Sequence, residues 1–99
     1  MTAGQVVAVV ALLAQMYGVD PALMDCMVYR ESSYNVAAVN GIHRGPAQWN
    51  PNTRDWLDGK AREDALWLHG DIGQGPVYDL ALMAWAVSEG YGPLEEAAE

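Results

Sequence analysis

Residues 29 to 51 read YRESSYNVAAVNGIHRGPAQWNP. The stretch holds one carboxylate, Glu31, and the next Asp or Glu is Asp55, in a chain with thirteen acidic residues. Helical periodicity disappears from Ser32 to Asn52. Asn40-Gly41 is a type I′ turn signal, so a short hairpin or ordered loop is expected around residues 35–52. The flanking sequence reads as helix on both sides.

Upstream, residues 4 to 17 predict a helix, largely apolar all round and therefore buried, ended by Gly18. Asp20-Pro21 opens the next helix, with Asp20 as N-cap and Pro21 at the first helical position. Its apolar stripe is Leu23, Met24, Met27 and Val28, and Glu31 continues that stripe by helical spacing. A carboxyl group there faces low dielectric and the negative end of the helix dipole, and both raise its pKa. Downstream, Thr53 is expected to cap a short helix that stops by Gly59, with another from about Lys60 to His69. Residues 70 to 76, GDIGQGP, predict a loop. Leu80, Met83, Ala84 and Val87 give the stripe of a further helix ending near Gly90, and a last turn is expected after Pro93. The expected fold is a compact, mainly α single domain over residues 1–99 with one small hairpin or loop insert.

Composition bounds the function. Ninety-nine residues, 52% hydrophobic, make one domain with ample core material. There is no Phe, so four Trp, five Tyr and five Met supply the bulk. The single Cys26 excludes an internal disulfide and is expected to be a small buried side chain. Net charge is −8, yet all five basic residues, Arg30, Arg44, Arg54, Lys60 and Arg62, lie between positions 30 and 62. No nucleic-acid partner is expected for a chain of this charge. The basic arc Arg30, Arg44 and Arg54 is expected to favour an anionic substrate. The run VVAVVALLA has no preceding Lys or Arg and is too short to span a bilayer, so no signal peptide and no membrane insertion are expected. His43 and His69 lack metal-ligand spacing and are expected to face solvent; no metal and no cofactor are expected.

At this point the residues resemble a family. YGVDPALMDCMVYRESSYNVAAVNG, then RGPAQWNPNT, is similar to the lysozyme-like lytic transglycosylase domain. That pattern runs Glu-Ser-x-aromatic-Asn-x-x-Ala-x-Ser/Asn, then Gly-x-x-Gln, then Pro-x-Thr. LALMAWAVSEGYG looks like the family's Ala-Leu-x-Ala-Tyr-Asn-x-Gly segment. The match covers roughly residues 17 to 58 and 79 to 92, and the Glu-Ser and Gly-x-x-Gln blocks are specific only together.

The resemblance implies a lysozyme-like α+β fold and a peptidoglycan-cleaving enzyme. It makes Glu31 the catalytic acid and Ser32 the residue conventionally beside it. Asn40 stands where a Ser or Asn contacts the sugar or steadies the Glu. Gln48 becomes the amide that binds an N-acetyl group, and Trp85 the aromatic that faces the Glu. Two departures stand out: Ala86 replaces the usual Asn, and the segment between the blocks is short. The implied partner is the glycan strand of the bacterial wall, met by a monomer delivered as a phage endolysin or virion component.

The chemistry agrees with the resemblance. Breaking a glycosidic bond needs an acid still protonated near neutral pH, and a Glu in apolar surroundings against an aromatic ring supplies one, as in lysozymes. Hydrolysis wants a second carboxylate flanking the bond; none lies between Ser32 and Arg54. A lone Glu suits a lytic transglycosylase, in which the N-acetyl group and the sugar's own 6-hydroxyl replace protein nucleophile and water. The alternatives are a hydrolytic muramidase using Asp55 as base, and an inactive glycan-binding or virion module favoured by Ala86. Read alone, Glu31 is a helix-end carboxylate paired with Arg30 or Arg44, and Gln48 satisfies loop backbone. Trp85 is core, cleft wall or both. Trp49 and Trp56 read more readily as core filler than as sugar platforms, Tyr34 as a brace after the helix, and Asp55 and Asp58 as solvent-facing.

Overall fold

A computed structural model describes residues 1–64 and 75–91. Helix α1 spans Ala3–Tyr17 and helix α2 Pro21–Ser32; strands β1 (Val39–Asn40) and β2 (His43–Arg44) follow, then helices α3 (Pro51–Asp64) and α4 (Pro76–Ser88). The fold is mainly helical with one small antiparallel hairpin, as expected. The expected continuation to His69, the loop at 70–74 and the turn after Pro93 lie outside the described residues.

Local signals place the first two helices. Thr2 and Gln5 form a reciprocal capping box, Gln5 N–H donating to Thr2 Oγ1 at 3.1 Å and Thr2 N–H to Gln5 Oε1 at 2.8 Å. At the other end, Gly18 N–H reaches Gln15 O and Val19 N–H reaches Ala14 O, the paired bonds of a Schellman stop. Helix α1 is not buried all round. It packs on α2 and α4 through Val6, Val10, Leu13 and Ala14, while Val7, Leu12 and Met16 are exposed, because neighbours lie on one side only. Asp20 caps α2 by accepting from Ala22 N–H at 3.0 Å. The buried stripe of α2 is Met24, Met27, Val28 and Ser32. Leu23 turns out to be exposed, as does Cys26, which corrects the expectation of a buried thiol. One residue's rotation of about 100° about the helix axis takes a side chain off a stripe this narrow.

Helix α3 is continuous, and the stop expected at Gly59 does not occur. Asn50, not Thr53, opens it: Asn50 Oδ1 accepts from Asn52 N–H at 3.0 Å and its carbonyl from Arg54 N–H at 2.9 Å. A glycine inside a helix costs about 1 kcal/mol. Leu57 and Ala61, buried on either side of Gly59, offset that loss, and an Asp58–Arg62 pair at 3.1 Å bridges the position from outside.

Helix α4 is the centre of the molecule. Every residue from Tyr78 to Ala86 except Asp79 is buried, so the expected stripe becomes an all-round apolar surface. It packs against α1 and α3, and its core joins Met24, Met27 and Val28 of α2 to Trp49, Leu57 and Ala61.

The hairpin pairs Val39 with Arg44 and Asn40 with His43, which makes Gly41 and Ile42 its two loop residues. Only Gly41 of the two has a positive φ, 65°. A type I′ turn needs positive φ at both positions. Gly at the first with a β-branched second residue matches type II′ instead.

Candidate active site

Glu31 lies in the last turn of α2, half-buried, seven residues after Met24 on the stripe that packs into the core. Ser32 beside it is buried and donates its Oγ to Val28 O at 3.1 Å, so its hydroxyl is committed to the helix end. Two consecutive non-glycine residues then take left-handed backbone, Ser33 at φ 52° and Tyr34 at φ 65°. Such conformations cost on the order of 1–3 kcal/mol each and persist only where the surroundings over-determine them. Here Tyr34 folds back along α2. Its hydroxyl donates to the Asp25 carboxylate at 3.0–3.1 Å and its ring lies 5.4 Å from that of Tyr29. Tyr34 is thus the brace expected of it, and it fixes the chain direction just after Glu31.

Gln48 is the other strained residue, with φ 51° and 4% exposure. Its Nε2 donates to Ala38 O and to Gly45 O, both at 2.9 Å. Both amide hydrogens are therefore committed to the loop backbone, which fixes the amide orientation, since only the nitrogen side can face two carbonyls. What Gln48 can offer a ligand is Oε1, an acceptor. The turn that holds it is closed by Gly45 N–H to Ala38 O at 2.9 Å, Gln48 N–H to Gly45 O at 3.1 Å, and a bridge between Arg44 and Trp49. Asn40 is exposed on β1. Trp85 is buried at 3% and meets the Tyr91 ring at 5.8 Å, so it is core first. Ala86 is fully buried in the same core, where an Asn would need a hydrogen-bond partner.

One residue that carries this loop was not legible beforehand. Asp79, in the first turn of α4, accepts Trp49 Nε1–H on its carbonyl at 3.1 Å and Arg54 Nε–H on its carboxylate at 2.8 Å. A Cβ on Gly45 would stand 3.0 Å from Asp79 Oδ2, and Gly45 itself has φ 82°. Gly45→Ala is therefore expected to destabilise the fold by about 1–3 kcal/mol, from left-handed backbone and crowding together. A urea midpoint indistinguishable from wild type would show that the loop moves freely off Asp79.

Burial pushes the Asp79 carboxyl above its ordinary value of 3.8, and Arg54 opposes that shift only in part. The folded state thus holds this proton to higher pH than the unfolded state does. Stability linked to Asp79 is present in full below the ordinary value and is lost as pH rises through the raised one. Urea titrations across that acid window, in wild type and Asp79→Asn, are expected to show the wild type losing ground relative to the variant as pH increases. Parallel curves would contradict the assignment.

Several expectations change. Arg54 is paired with Asp79 and lies over the Tyr78 ring at 5.1 Å, so it does not extend a free basic arc. Asp58 does not face solvent: it accepts from Tyr78 Oη–H and from Arg62 Nε–H. Asp55 is exposed, as expected. His43 is half-buried rather than solvent-facing, and His69 is outside the described residues. Trp49 is core, but Trp56 is 53% exposed. Among the described residues no group of three His, Cys, Asp or Glu is placed to hold a metal ion, and no helix is long and apolar enough to cross a membrane.

Compared with protein-family models, curated proteins and solved structures, the chain matches none.

Proposed function

We propose that the protein is a lysozyme-like lytic transglycosylase that cleaves the β-1,4 bond between N-acetylmuramic acid and N-acetylglucosamine in peptidoglycan. The observation that carries the reading is the setting of Glu31. It is half-buried on the core stripe at the C-terminal end of α2, and a braced, left-handed turn follows it directly. A half-buried carboxyl group at that place can serve as the general acid that the first step needs.

In this reading Glu31 gives its proton to the glycosidic oxygen as the bond to the muramic C1 breaks. The Glu31 carboxylate then takes the proton of the muramic 6-hydroxyl, whose oxygen bonds to C1. One glycosidic bond is lost, one internal ether bridge forms, and Glu31 ends protonated as it began. Gln48 Oε1 suits the N–H of an N-acetyl group, because both of its own hydrogens are already held by Ala38 and Gly45. Ser32 supports the helix end beneath Glu31. Wall cleavage places the action of the protein at the cell wall, reached as a phage lysis or virion component.

A second reading, a glycan-binding module without activity, is favoured by Ala86, which offers no polar group where the related pattern has Asn. Turbidity of purified sacculi separates the two. Clearing is expected from the wild-type protein, and binding to sacculi without clearing would leave only the second.

A further inference from the structure

Asp79 is the one charged residue of α4, set among side chains that are otherwise buried from Tyr78 to Ala86. A carboxylate in that company is costly unless it is bound. Its carbonyl accepts Trp49 Nε1–H at 3.1 Å, and Trp49 directly follows Gln48. Its carboxylate takes Arg54 Nε–H on Oδ1 at 2.8 Å. The other oxygen, Oδ2, lies where a side chain on Gly45 would begin, 3.0 Å from the position of a Cβ there. Gly45 opens the turn that Gln48 closes, with Gln48 N–H donating to Gly45 O at 3.1 Å. One residue of α4 therefore bounds the Gln48 turn at both ends.

The turn passes this constraint to the amide. Gln48 Nε2 donates to Gly45 O and to Ala38 O, and Ala38 O also accepts the Gly45 N–H at 2.9 Å. Both oxygens that orient the amide are thus tied to Gly45. A Gly45 that moved into the space of the Asp79 carboxylate would carry both with it. Gln48 itself has φ 51°, a conformation that persists only where its surroundings hold it.

We infer that Asp79, held by Arg54, is a positioning residue for Gln48: its carboxylate seats Gly45 and so fixes where Gln48 Oε1 points. The inference rests on the reading of Gln48 Oε1 as the acceptor for an N-acetyl N–H, and it extends that reading to a residue that acts through Gln48 rather than on the sugar. A contact of this kind is made alike in the ground state and the transition state. Its loss raises KM and leaves kcat nearly unchanged.

Asp79→Ala removes the carboxylate and keeps the carbonyl that Trp49 uses, whereas Asp79→Asn keeps the shape and an oxygen for Arg54. On soluble peptide-free strands of alternating N-acetylglucosamine and N-acetylmuramic acid, Asp79→Ala is expected to raise KM by about three- to tenfold, the worth of one hydrogen bond. Asp79→Asn is expected to restore most of the wild-type KM. In a Gln48→Met background Asp79→Ala is expected to add little, because both changes act on one contact. Arg54→Gln, which releases the carboxylate without removing it, is expected to shift KM the same way by less, and it replaces Asp79→Ala should that variant not fold.

Hydrogen exchange followed by NMR reads the same clamp without substrate. In the Asp79→Ala or Arg54→Gln protein the side-chain amide hydrogens of Gln48 are expected to exchange faster by about tenfold relative to the buried α1 amides of Val10 and Leu13, whereas a general loss of stability speeds both alike. Wild-type KM in a folded variant, losses that add to those of Gln48→Met, or equal acceleration in the turn and in α1 would each overturn the assignment, and the cleavage reading would stand. A wild type that cleaves no strands would remove the cleavage reading, and the exchange ratio would then decide by itself whether Asp79 holds Gln48.

Discussion

Glu31→Gln is expected to reduce cleavage of purified sacculi by ~10²–10⁴-fold, the usual worth of a positioned general acid. The amide has nearly the volume of the acid and can occupy the same half-buried position in the last turn of α2. It cannot give up a proton to the leaving oxygen, nor recover one from the 6-hydroxyl. Folding is expected to be close to normal, because the amide keeps the shape of the side chain and Ser32, Tyr34 and Asp25 make bonds of their own at the helix end. Circular dichroism and a urea titration alongside the lysis assay separate the two effects. A variant that keeps more than a few per cent of the rate would move the acid elsewhere.

Tyr78→Ala is expected to have the largest effect on stability. Tyr78 is fully buried near the start of α4, donates its hydroxyl proton to Asp58, and lies beneath the Arg54 guanidinium. Removing a buried aromatic ring leaves a cavity worth about 3–5 kcal/mol. The change also weakens the α3–α4 interface, where Asp58 would face its cavity with one partner fewer. Total stability of a domain this size is roughly 5–15 kcal/mol, so the variant should be largely unfolded or close to it. Tyr78→Phe keeps the ring and removes only the hydroxyl, for about 1–3 kcal/mol. Urea unfolding of both variants checks the difference. Equal losses would mean that the hydroxyl, not the ring, holds α3 to α4.

The residues that could be read in advance are those whose signals are local. Asp20-Pro21 opens α2 and Gly18 closes α1 because a cap needs only its own two or three neighbours. Glu31 was legible as a singular carboxylate because the emptiness around it is a property of the sequence. Gly59 misled for the opposite reason: its local preference to stop a helix is outweighed by Leu57 and Ala61, whose burial against α4 is a tertiary fact. Trp56 and Cys26 misled because an apolar residue in a short amphipathic stretch does not state which side of the helix it will occupy. Asp79 could not be found at all. Its partners Arg54 and Trp49 lie 25 and 30 positions away, and only the folded chain brings them under the Gln48 loop.

The product of the reaction tests the central claim most directly. A hydrolase holds water or forms a covalent ester with the help of a second carboxylate. Between Ser32 and Arg54 the chain offers only neutral and basic side chains, and Asp58 and Asp79 are engaged by Arg62 and Arg54. The muramic 6-hydroxyl is held close to C1 by the sugar ring itself, so its effective concentration is high. Mass spectrometry of sacculi digested to completion is expected to show fragments ending in 1,6-anhydromuramic acid, one water lighter than hydrolytic products and without a new reducing end. Fragments ending mainly in reducing N-acetylmuramic acid would contradict the transglycosylase account and direct attention to the exposed Asp55 as a base.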